Sequence, residues 1–319
     1  MLCVAAGIVM LGVGIVGPIL PLYALSFGVP YGVAGTVISI FGGARLCMDA
    51  PAGNIADKLG RKPLIVTGMI VLFVSSLIAA FAQDILQLLL ARFVQGIGSA
   101  LYTTTAMTLV ADIAPPEKRG SYLGYYQGSF FLGAAVGPAL GGFIAEFAGF
   151  RAPFFFLGIL SALGASFAGV MVRESFVKMK MASVRGSGFS NLRMTFHNRL
   201  LMLSYVAGLV TMLTVVGMRF TLMPIYGRNY LNLSYAQVGA VLTVCAIAST
   251  AAIAWSGKLL DKFGSKPSLV YGFLFSALTI YVFTWSNDFL TFMLISILFG
   301  VASGIVNPAQ VAVVADQAS

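Results

Sequence analysis

The chain has 319 residues, of which 59% are hydrophobic and only 9% are charged. A soluble domain cannot bury that much apolar surface, so the composition predicts a protein whose solvent is the lipid bilayer. The net charge of +9 could indicate nucleic-acid binding, but the basic residues lie in short segments between apolar runs, so no nucleic-acid partner is expected. Three scattered cysteines and one histidine lack metal-ligand spacing, so we expect no metal, no cofactor and no enzymatic chemistry.

Ten apolar segments are long enough to cross a bilayer as helices. Numbered 1 to 10, they cover residues 2–25, 31–54, 64–82, 85–111, 121–146, 152–172, 200–226, 235–256, 268–286 and 289–314. Four connecting segments hold 14 of the 19 Lys and Arg residues, namely 55–63, 112–120, 173–199 and 257–267. This asymmetry places those segments and both chain ends in the cytoplasm. The sequence therefore predicts an all-α, multi-pass protein of the cell membrane.

One connecting segment occurs twice, 204 residues apart. The first copy and its repeat read Gly53-Asn-Ile-Ala-Asp57-Lys58-Leu-Gly60-Arg61-Lys62-Pro63 and Gly257-Lys-Leu-Leu-Asp261-Lys262-Phe-Gly264-Ser265-Lys266-Pro267. The same offset relates Asp84 to Asp288, Gly96 to Gly300 and Asp112 to Asp316. A repeat this long predicts two related helical bundles.

The repeat also predicts the domain organisation. We expect an N-terminal six-helix bundle over residues 1–172, a basic cytoplasmic linker over 173–199, and the first four helices of a C-terminal bundle over 200–319. If the bundles correspond, two more helices should follow Ser319, so this chain would hold ten of twelve helices of a roughly 400-residue protein. The apolar first residues, with no cytoplasmic leader, indicate a trimmed start.

The duplicated segment resembles the signature loop of the major facilitator superfamily. Two further stretches resemble motifs of helices 4 and 5 in that family, the second associated with its drug–proton antiporter branch: Arg92-Phe-Val-Gln95-Gly96-Ile-Gly98 and Gly133-Ala-Ala-Val-Gly137-Pro138-Ala-Leu-Gly141-Gly142. Pro18, Pro21 and Tyr23 resemble the end of that branch's first helix and are echoed by Pro224 and Tyr226. The resemblance implies a monomeric secondary transporter with two pseudo-symmetric bundles, a small-molecule substrate and protons as coupling ion.

The signature loop supplies the candidate switch residues. A carboxylate at the carboxyl end of a helix is unfavourable, so Asp57 needs nearby cations, and glycines would allow close backbone approach. The resemblance implies that Asp57 meets helix 11 and latches the outward-facing state. Pseudo-symmetry then turns Asp261 toward the start of segment 5, with a weaker latch because Ser265 replaces an arginine. The candidates are Gly53, Asp57, Lys58, Gly60, Arg61, Lys62, Gly257, Asp261, Lys262, Gly264 and Lys266.

Three charged residues lie inside the apolar segments: Arg45, Asp49 and Arg92. An unpaired cation there costs at least about 2.5 kcal/mol on insertion scales. Arg45 and Asp49 are spaced to pair, either as a structural pair or as a proton carrier. Arg92 is linked by the resemblance to proton transfer. Arg219, near the outer end of segment 7, is expected to extend to the interface.

Polar residues form one stripe on segment 4 and another on segment 10, where lipid contact would be costly. We predict that both face a wet central cavity. The candidate cavity residues are Gln95, Ser99, Tyr102, Tyr23, Tyr226, Ser303, Asn307 and Gln310, with Ser296 on the same stripe of segment 10. Asn307-Pro308 interrupts the hydrogen-bond ladder of segment 10 at mid-membrane, a common place for substrate contact.

Segment 5 carries small residues at helical spacing: Gly133, Gly137, Pro138, Gly141 and Gly142. Such a face predicts close helix packing, with a bend at the proline. The resemblance to the antiporter branch implies that this face also seals the protein against proton leak.

Together these features predict a secondary active transporter that moves a small organic solute by alternating access, as a proton-coupled exporter. Two alternatives stay open: a sugar or organic-acid carrier of the same fold, and a non-transporting membrane sensor or scaffold. Segment 1 has no acidic residue, which favours neutral or anionic cargo.

Overall fold

The computed structural model describes residues 2–171 and 199–318, and within those ranges every regular element is helical. Ten helices of this part of the chain are long and apolar enough to cross a membrane. We number them in chain order: α1 (Leu2–Val16, resuming as Leu20–Leu25), α2 (Tyr31–Leu59), α3 (Arg61–Ala80), α4 (Ile85–Ile113), α5 (Arg119–Ala148), α6 (Ala152–Met171), α7 (Arg199–Gly217, a π-helical turn Met218–Leu222, then Met223–Asn229), α8 (Tyr235–Phe263), α9 (Ser265–Phe283) and α10 (Phe289–Ala318). The predicted all-α, multi-pass fold is confirmed.

The described residues group into two compact units. The first contains 2–171, and thus α1 to α6, together with Met223–Thr243. The second contains 199–222 and 244–318. The predicted linker 173–199 lies outside the described residues except for Arg199, with which α7 begins.

The two copies of the repeat fold alike down to their helix ends. Both α2 and α8 span 29 residues, and their boundaries differ by the sequence offset of 204. Asp84 and Asp288 each cap the next helix: their carboxylates accept the backbone N–H of Gln87 at 2.8 Å and of Thr291 at 3.0 Å. The Thr291 hydroxyl also donates to Asp288, and this bond, followed by that of the Thr291 amide, lowers the pKa of Asp288 below its usual value.

The signature segment is a helical corner rather than the loop predicted over residues 55–63. Helix α2 continues through Asp57 and Lys58 to Leu59, and α3 begins at Arg61. Only Gly60 separates the two helices, with φ +97, and Gly264 separates α8 from α9 in the same way with φ +83. Glycine adopts this backbone conformation without the steric cost that a side chain brings. One residue therefore suffices to end one helix and start the next.

Helix α7 contains a π-helical turn over Met218–Leu222, immediately before Pro224. Proline has no N–H to donate, and its ring collides with the carbonyl four residues earlier in an α-helix. A wider turn relieves that collision, so the proline accounts for the position of the π-helical turn. Such turns occur frequently at functional sites.

Candidate functional site

Arg61 joins two carboxylates at the α2–α3 corner. Its Nη2 lies 2.9 Å from Oδ1 of Asp57, and its Nε donates to Oδ2 of Asp112 at 3.3 Å. Asp57 is 65% exposed, whereas the side chains of Asp112 and Arg61 are only 14% and 13% exposed. Arg61 therefore supplies the cation that Asp57 needs at a helix carboxyl end and also fixes the end of α4 to this corner.

The second corner lacks that bridge. Ser265 occupies the position of Arg61, and Asp261 and Lys262 are exposed. The salt bridges between described residues involve only Arg45 and Arg61, so Asp261 has none there. Of the other candidates, Lys58, Gly257, Gly264 and Lys266 are exposed, while Gly53 and Lys62 are partly buried. The predicted contact between Asp261 and the start of α5 stays a prediction.

Gly53 does not bring two backbones together among the described residues. A methyl group in place of its hydrogen would meet no atom within 4 Å, and the same holds for Gly257. The close backbone approach expected at Gly53 stays a prediction. Gly60 is required for a different reason, its positive φ.

Arg92 is the centre of a buried polar cluster in the first unit. Its Nε donates to the carbonyl of Val37 at 3.3 Å, its Nη1 donates to Oε1 of Gln95, and its guanidinium lies 4.2 Å from the ring centroid of Phe41. The side-chain amide of Gln95 donates to Oγ of Ser76 at 2.9 Å, which extends the hydrogen-bond network to α3. Arg92 is 7% exposed, so its charge is held by neutral groups of α2, α3 and α4.

A second cluster connects α2 with α4 nearer the corner. Arg45 donates to Oγ of Ser99 at 3.4 Å and to Oγ1 of Thr103 at 3.1 Å, and its Nη2 lies 3.8 Å from Oδ1 of Asp49. Asp49 in turn accepts from the hydroxyl of Thr104 at 2.8 Å. Arg45 and Asp49 are both only partly buried, with exposed side-chain fractions of 31% and 41%.

The same α2–α4 contact recurs between α8 and α10, with different chemistry. A methyl group on Gly96 would lie 2.8 Å from Cβ of Ala44, and one on Gly300 would lie 3.0 Å from Cβ of Ala248, the repeat-related residue. One turn further, Ser99 accepts from Arg45, whereas Ser303 donates to Oγ of Ser249 at 3.3 Å. The second copy of the repeat therefore keeps the helix packing and the serine, Ser303. It has Ser249 on α8 at the position that Arg45 occupies on α2.

In the second unit, the positively charged group that contacts Ser303 is the guanidinium of Arg219 from α7. Arg219 Nη2 lies 3.5 Å from Oγ of Ser303 and 3.6 Å from Sγ of Cys245. The expectation that Arg219 extends to the outer interface is therefore wrong. Arg219 lies in the π-helical turn of α7, and its side chain reaches toward α8 and α10.

The other predicted cavity residues take several positions. Tyr102 is 1% exposed and belongs to an apolar cluster with Met69, Leu109 and Tyr126. Tyr23 is equally internal, and its hydroxyl donates to the carbonyl of Ala82 at 3.2 Å. Gln95, Ser99, Ser296 and Ser303 are also buried, so neither stripe forms an outer surface of its unit. Their access to a cavity stays a prediction.

Three cavity candidates are less enclosed, since Tyr226, Asn307 and Gln310 are partly buried. Tyr226 stacks on Tyr230 with ring centroids 5.3 Å apart. Asn307 donates to the carbonyl of Ser303 at 2.9 Å, and helix α10 continues without interruption through Pro308. The amide of Gln310 lies against Gly208 of α7.

The small residues of α5 lie against two helices of the first unit. Methyl groups on Gly133, Gly137 or Gly141 would collide with the backbone of α1. One on Gly142 would lie 3.1 Å from Cα of Gly239, near the start of α8. Next to Pro138, the N–H of Ala139 donates to the Thr243 hydroxyl at 2.9 Å. Any side chain at these glycine positions would therefore prevent the close packing of α5 against the neighbouring helices.

Several residues of these clusters, among them Asp112, Ser249 and Cys245, were not singled out from the sequence as site residues. Asp112 was noted only as a repeat position, although its separation from Arg61 by one membrane helix pair places both at the same side. Ser249 and Cys245 looked like ordinary residues of an apolar segment. Aligning the repeat copies would have marked Ser249, because it stands at the position of Arg45.

A duplicated set of membrane-crossing helices, with arginines inside the helices and a helix–glycine–helix corner in each copy, is typical of a multi-pass membrane transporter. The chain belongs to the Major Facilitator Superfamily, whose family model matches residues 2–319. Its relatives are transporters and not enzymes. A small-molecule substrate and embedding in a membrane follow from that membership.

Three curated relatives illustrate the neighbourhood. An uncharacterized MFS-type transporter of Methanocaldococcus jannaschii is 29% identical over 303 residues, 94% of this chain and 78% of the relative. The quinolone resistance protein NorA of Staphylococcus aureus is 26% identical, with 95% and 77% covered. Multidrug resistance protein 2 of Bacillus subtilis is 23% identical, with 96% and 77% covered. The predicted resemblance to the drug–proton antiporter branch is confirmed at this level.

Solved structures agree on the fold. A bacterial homolog of the human lysosomal transporter Spinster, inward-facing and unoccupied, matches with a TM-score of 0.78 at 17% identity, over 98% of this chain and 73% of that one. A D-xylose–proton symporter matches with a TM-score of 0.73 at 14% identity, over 97% and 80%. At these identities the likeness concerns the fold alone.

Proposed function

We propose that this chain is a secondary active exporter that moves a small organic solute across the cell membrane in exchange for protons. The observation that carries the proposal is similarity over 95% of the chain to a quinolone resistance protein, joined by a multidrug resistance protein over 96%. Buried polar clusters inside the helical units support transport over a scaffold role, because a scaffold has no use for such costly groups within the membrane.

The corner at Gly60 is the proposed conformational switch. Arg61 holds Asp57 and Asp112 together, so a state change that moves the end of α2 must break or re-form charge-assisted hydrogen bonds. The corner at Gly264 lacks the arginine and opposes movement less. Alternating access then follows from two switches of unequal strength, with cargo contacting polar residues of α4 and α10.

Coupling to protons requires a group that gains and loses a proton within the membrane. Among the described residues, Asp49 is the one carboxylate that lies well inside a helix that crosses the membrane, ten residues before the end of α2. Its partners, Arg45 and Thr104, can hold it when ionised. The basic connecting segments place both chain ends in the cytoplasm in this proposal.

Flux in reconstituted vesicles tests the proposal. The full chain is inserted into liposomes, a pH gradient is imposed, and uptake of a quinolone, a lipophilic cation and a sugar is followed. We expect gradient-driven movement of an aromatic drug that stops when a protonophore collapses the gradient. Flux indifferent to the protonophore would remove the coupling, and flux of the sugar alone would replace the drug exporter by a sugar carrier.

Two variants locate the switch and the proton site. Asp57→Asn should slow transport severely without preventing insertion, whereas Glu117→Gln, an exposed carboxylate of the same side, should leave it unchanged. Asp49→Asn should uncouple flux from the pH gradient. Normal flux in Asp57→Asn would contradict the switch.

An organic-acid carrier is the second candidate, favoured by one observation: the cation of Arg219 has no carboxylate partner among the described residues. The two candidates differ in the charge of the cargo and not in the fold.

A further inference from the structure

The guanidinium of Arg219 has few hydrogen-bond partners among the described residues. Its two contacts, to Ser303 and Cys245, are long at 3.5 and 3.6 Å, and its Nε is buried without a hydrogen-bond acceptor among the described residues. A guanidinium carries five N–H donors, and most of those of Arg219 have no acceptor among the residues that the structure describes. A cation inside a membrane-crossing helix is costly when nothing compensates it.

The other embedded arginines show what compensation looks like in this protein. Arg45 has Asp49 one turn away, and Arg92 has a carbonyl, the Gln95 amide and an aromatic ring. In the second copy of the repeat, Ile253 stands where Asp49 stands in the first. The carboxylate that would balance a cation next to Ser303 is therefore missing from α8.

The acids of the second half of the chain lie at or near the ends of helices. Its aspartates after residue 199 are Asp261, Asp288 and Asp316, and it has no glutamate there. Asp261 lies two residues from the end of α8, Asp288 precedes α10, and Asp316 lies near the end of α10. In the described part of the second unit, a cation, a hydroxyl and a thiol thus lie together without an acidic partner.

We propose that Arg219, with the hydroxyl of Ser303 and the thiol of Cys245, forms a binding subsite for the carboxylate of an organic-acid cargo. This inference rests on the proposed transport function and names the substrate class. A carboxylate offers two oxygens to the fork of a guanidinium, and such a bond is stronger in a medium of low dielectric constant. The π-helical turn presents the arginine to α8 and α10, where the guanidinium donates to the Ser303 hydroxyl and that hydroxyl donates to Ser249.

A matched pair of probes tests the subsite without any transport step. The full chain is placed in lipid nanodiscs, and binding of 1-naphthoate and of its neutral analogue 1-naphthamide is measured by equilibrium dialysis at pH 7, with empty nanodiscs subtracted. We expect the carboxylate to bind about tenfold tighter than the amide, the factor that one charge-assisted hydrogen bond supplies. Arg219→Gln should abolish this preference, and Arg219→Lys should keep part of it.

Two further variants separate the subsite from general basicity and from misfolding. Arg228→Gln removes a charge from the same helix, where the guanidinium donates to the Leu233 carbonyl and stacks on Tyr235, and should keep the preference. Cys245→Asp places an internal carboxylate beside Arg219 and should abolish it while the arginine remains. If that variant does not fold, Arg219→Gln alone decides.

Equal affinity for the two probes in the native chain would overturn the subsite. So would a preference that survives Arg219→Gln, or one that Arg228→Gln removes as well. The binding assay tests the subsite and the flux assay tests export, so a negative result in one does not imply a negative result in the other. A chain that prefers the carboxylate but moves no solute would contradict the export proposal and leave the subsite standing.

Discussion

Replacing Gly137 by alanine should destabilise the first unit by driving a methyl group into the backbone of α1. The added Cβ would lie 2.5 Å from Cα of Gly14 and 2.8 Å from the nitrogen of Ile15. Non-bonded carbon atoms rest at about 3.5–4.0 Å, so α1 and α5 would have to separate by about 1 Å. Backbone atoms cannot rotate away as a side chain can.

The expected loss is about 2–3 kcal/mol, the upper part of the range for overpacked sites. Separation of the helices would also weaken the contacts around Gly133 and Gly141, which meet α1 in the same way. The measurement is the free energy of unfolding, from titration of the purified chain with SDS in mixed micelles, followed by circular dichroism.

Gly128→Ala is the matched control. Gly128 lies in the same helix, and a methyl group there would meet nothing within 4 Å. Alanine favours helix over glycine by up to about 1 kcal/mol, so this variant should be as stable as the native chain or slightly more so. If the two variants unfold with the same free energy, close packing of α1 on α5 does not limit stability and the reasoning is refuted.

Three other changes have expected outcomes. Arg61→Ser gives the first corner the residue of the second, and it should cost about 1–3 kcal/mol of unfolding free energy because Asp112 is left half-buried without its cation. Lys58→Ser, at an exposed lysine of the same corner, should cost less than about 0.5 kcal/mol, as is usual for surface changes, and equal losses would contradict the bridge. Arg92→Lys keeps the charge but loses the planar fork, so it should lower both stability and flux, and full activity would show that charge alone matters. Asp288→Ala should destabilise α10 at neutral pH. Since the pKa of Asp288 is lowered on folding, this contribution is complete above the ordinary aspartate pKa and disappears as the pH falls through the lowered value. The difference in unfolding midpoint between the two chains should therefore shrink at acidic pH, and a constant difference would speak against the carboxylate cap.

The sequence predicted a large part of the fold because its signals are local. Runs of apolar residues gave ten segments, and ten helices of the described chain are long and apolar enough to span a membrane. The repeat offset related Asp84 to Asp288, and in the structure both cap a helix. The connection between α2 and α3 was predicted as a loop that was too long. In the structure one glycine with positive φ, Gly60 or Gly264, is enough to join the two helices of each copy.

The sites depended on contacts that local patterns do not encode. Arg61 reaches Asp112 across 51 residues, and Arg219 reaches Ser303 across 84. Which face of a helix meets which partner is set by its rotation within the packed unit, and a π-helical turn or a proline shifts that rotation part-way along.

Hydropathy and the repeat by themselves determined that this is a two-copy helical protein of the membrane, because bilayer thickness and backbone hydrogen bonding leave a chain of that composition few alternatives. Only the tertiary structure decided which embedded charges are balanced. Arg45 pairs with the carboxylate of Asp49, and Arg92 donates to neutral acceptors. Arg219 makes only two long contacts among the described residues, to a hydroxyl and a thiol. Which partner an embedded arginine contacts depends on the distance and orientation between neighbouring helices, and the spacing of residues along a single helix does not specify these.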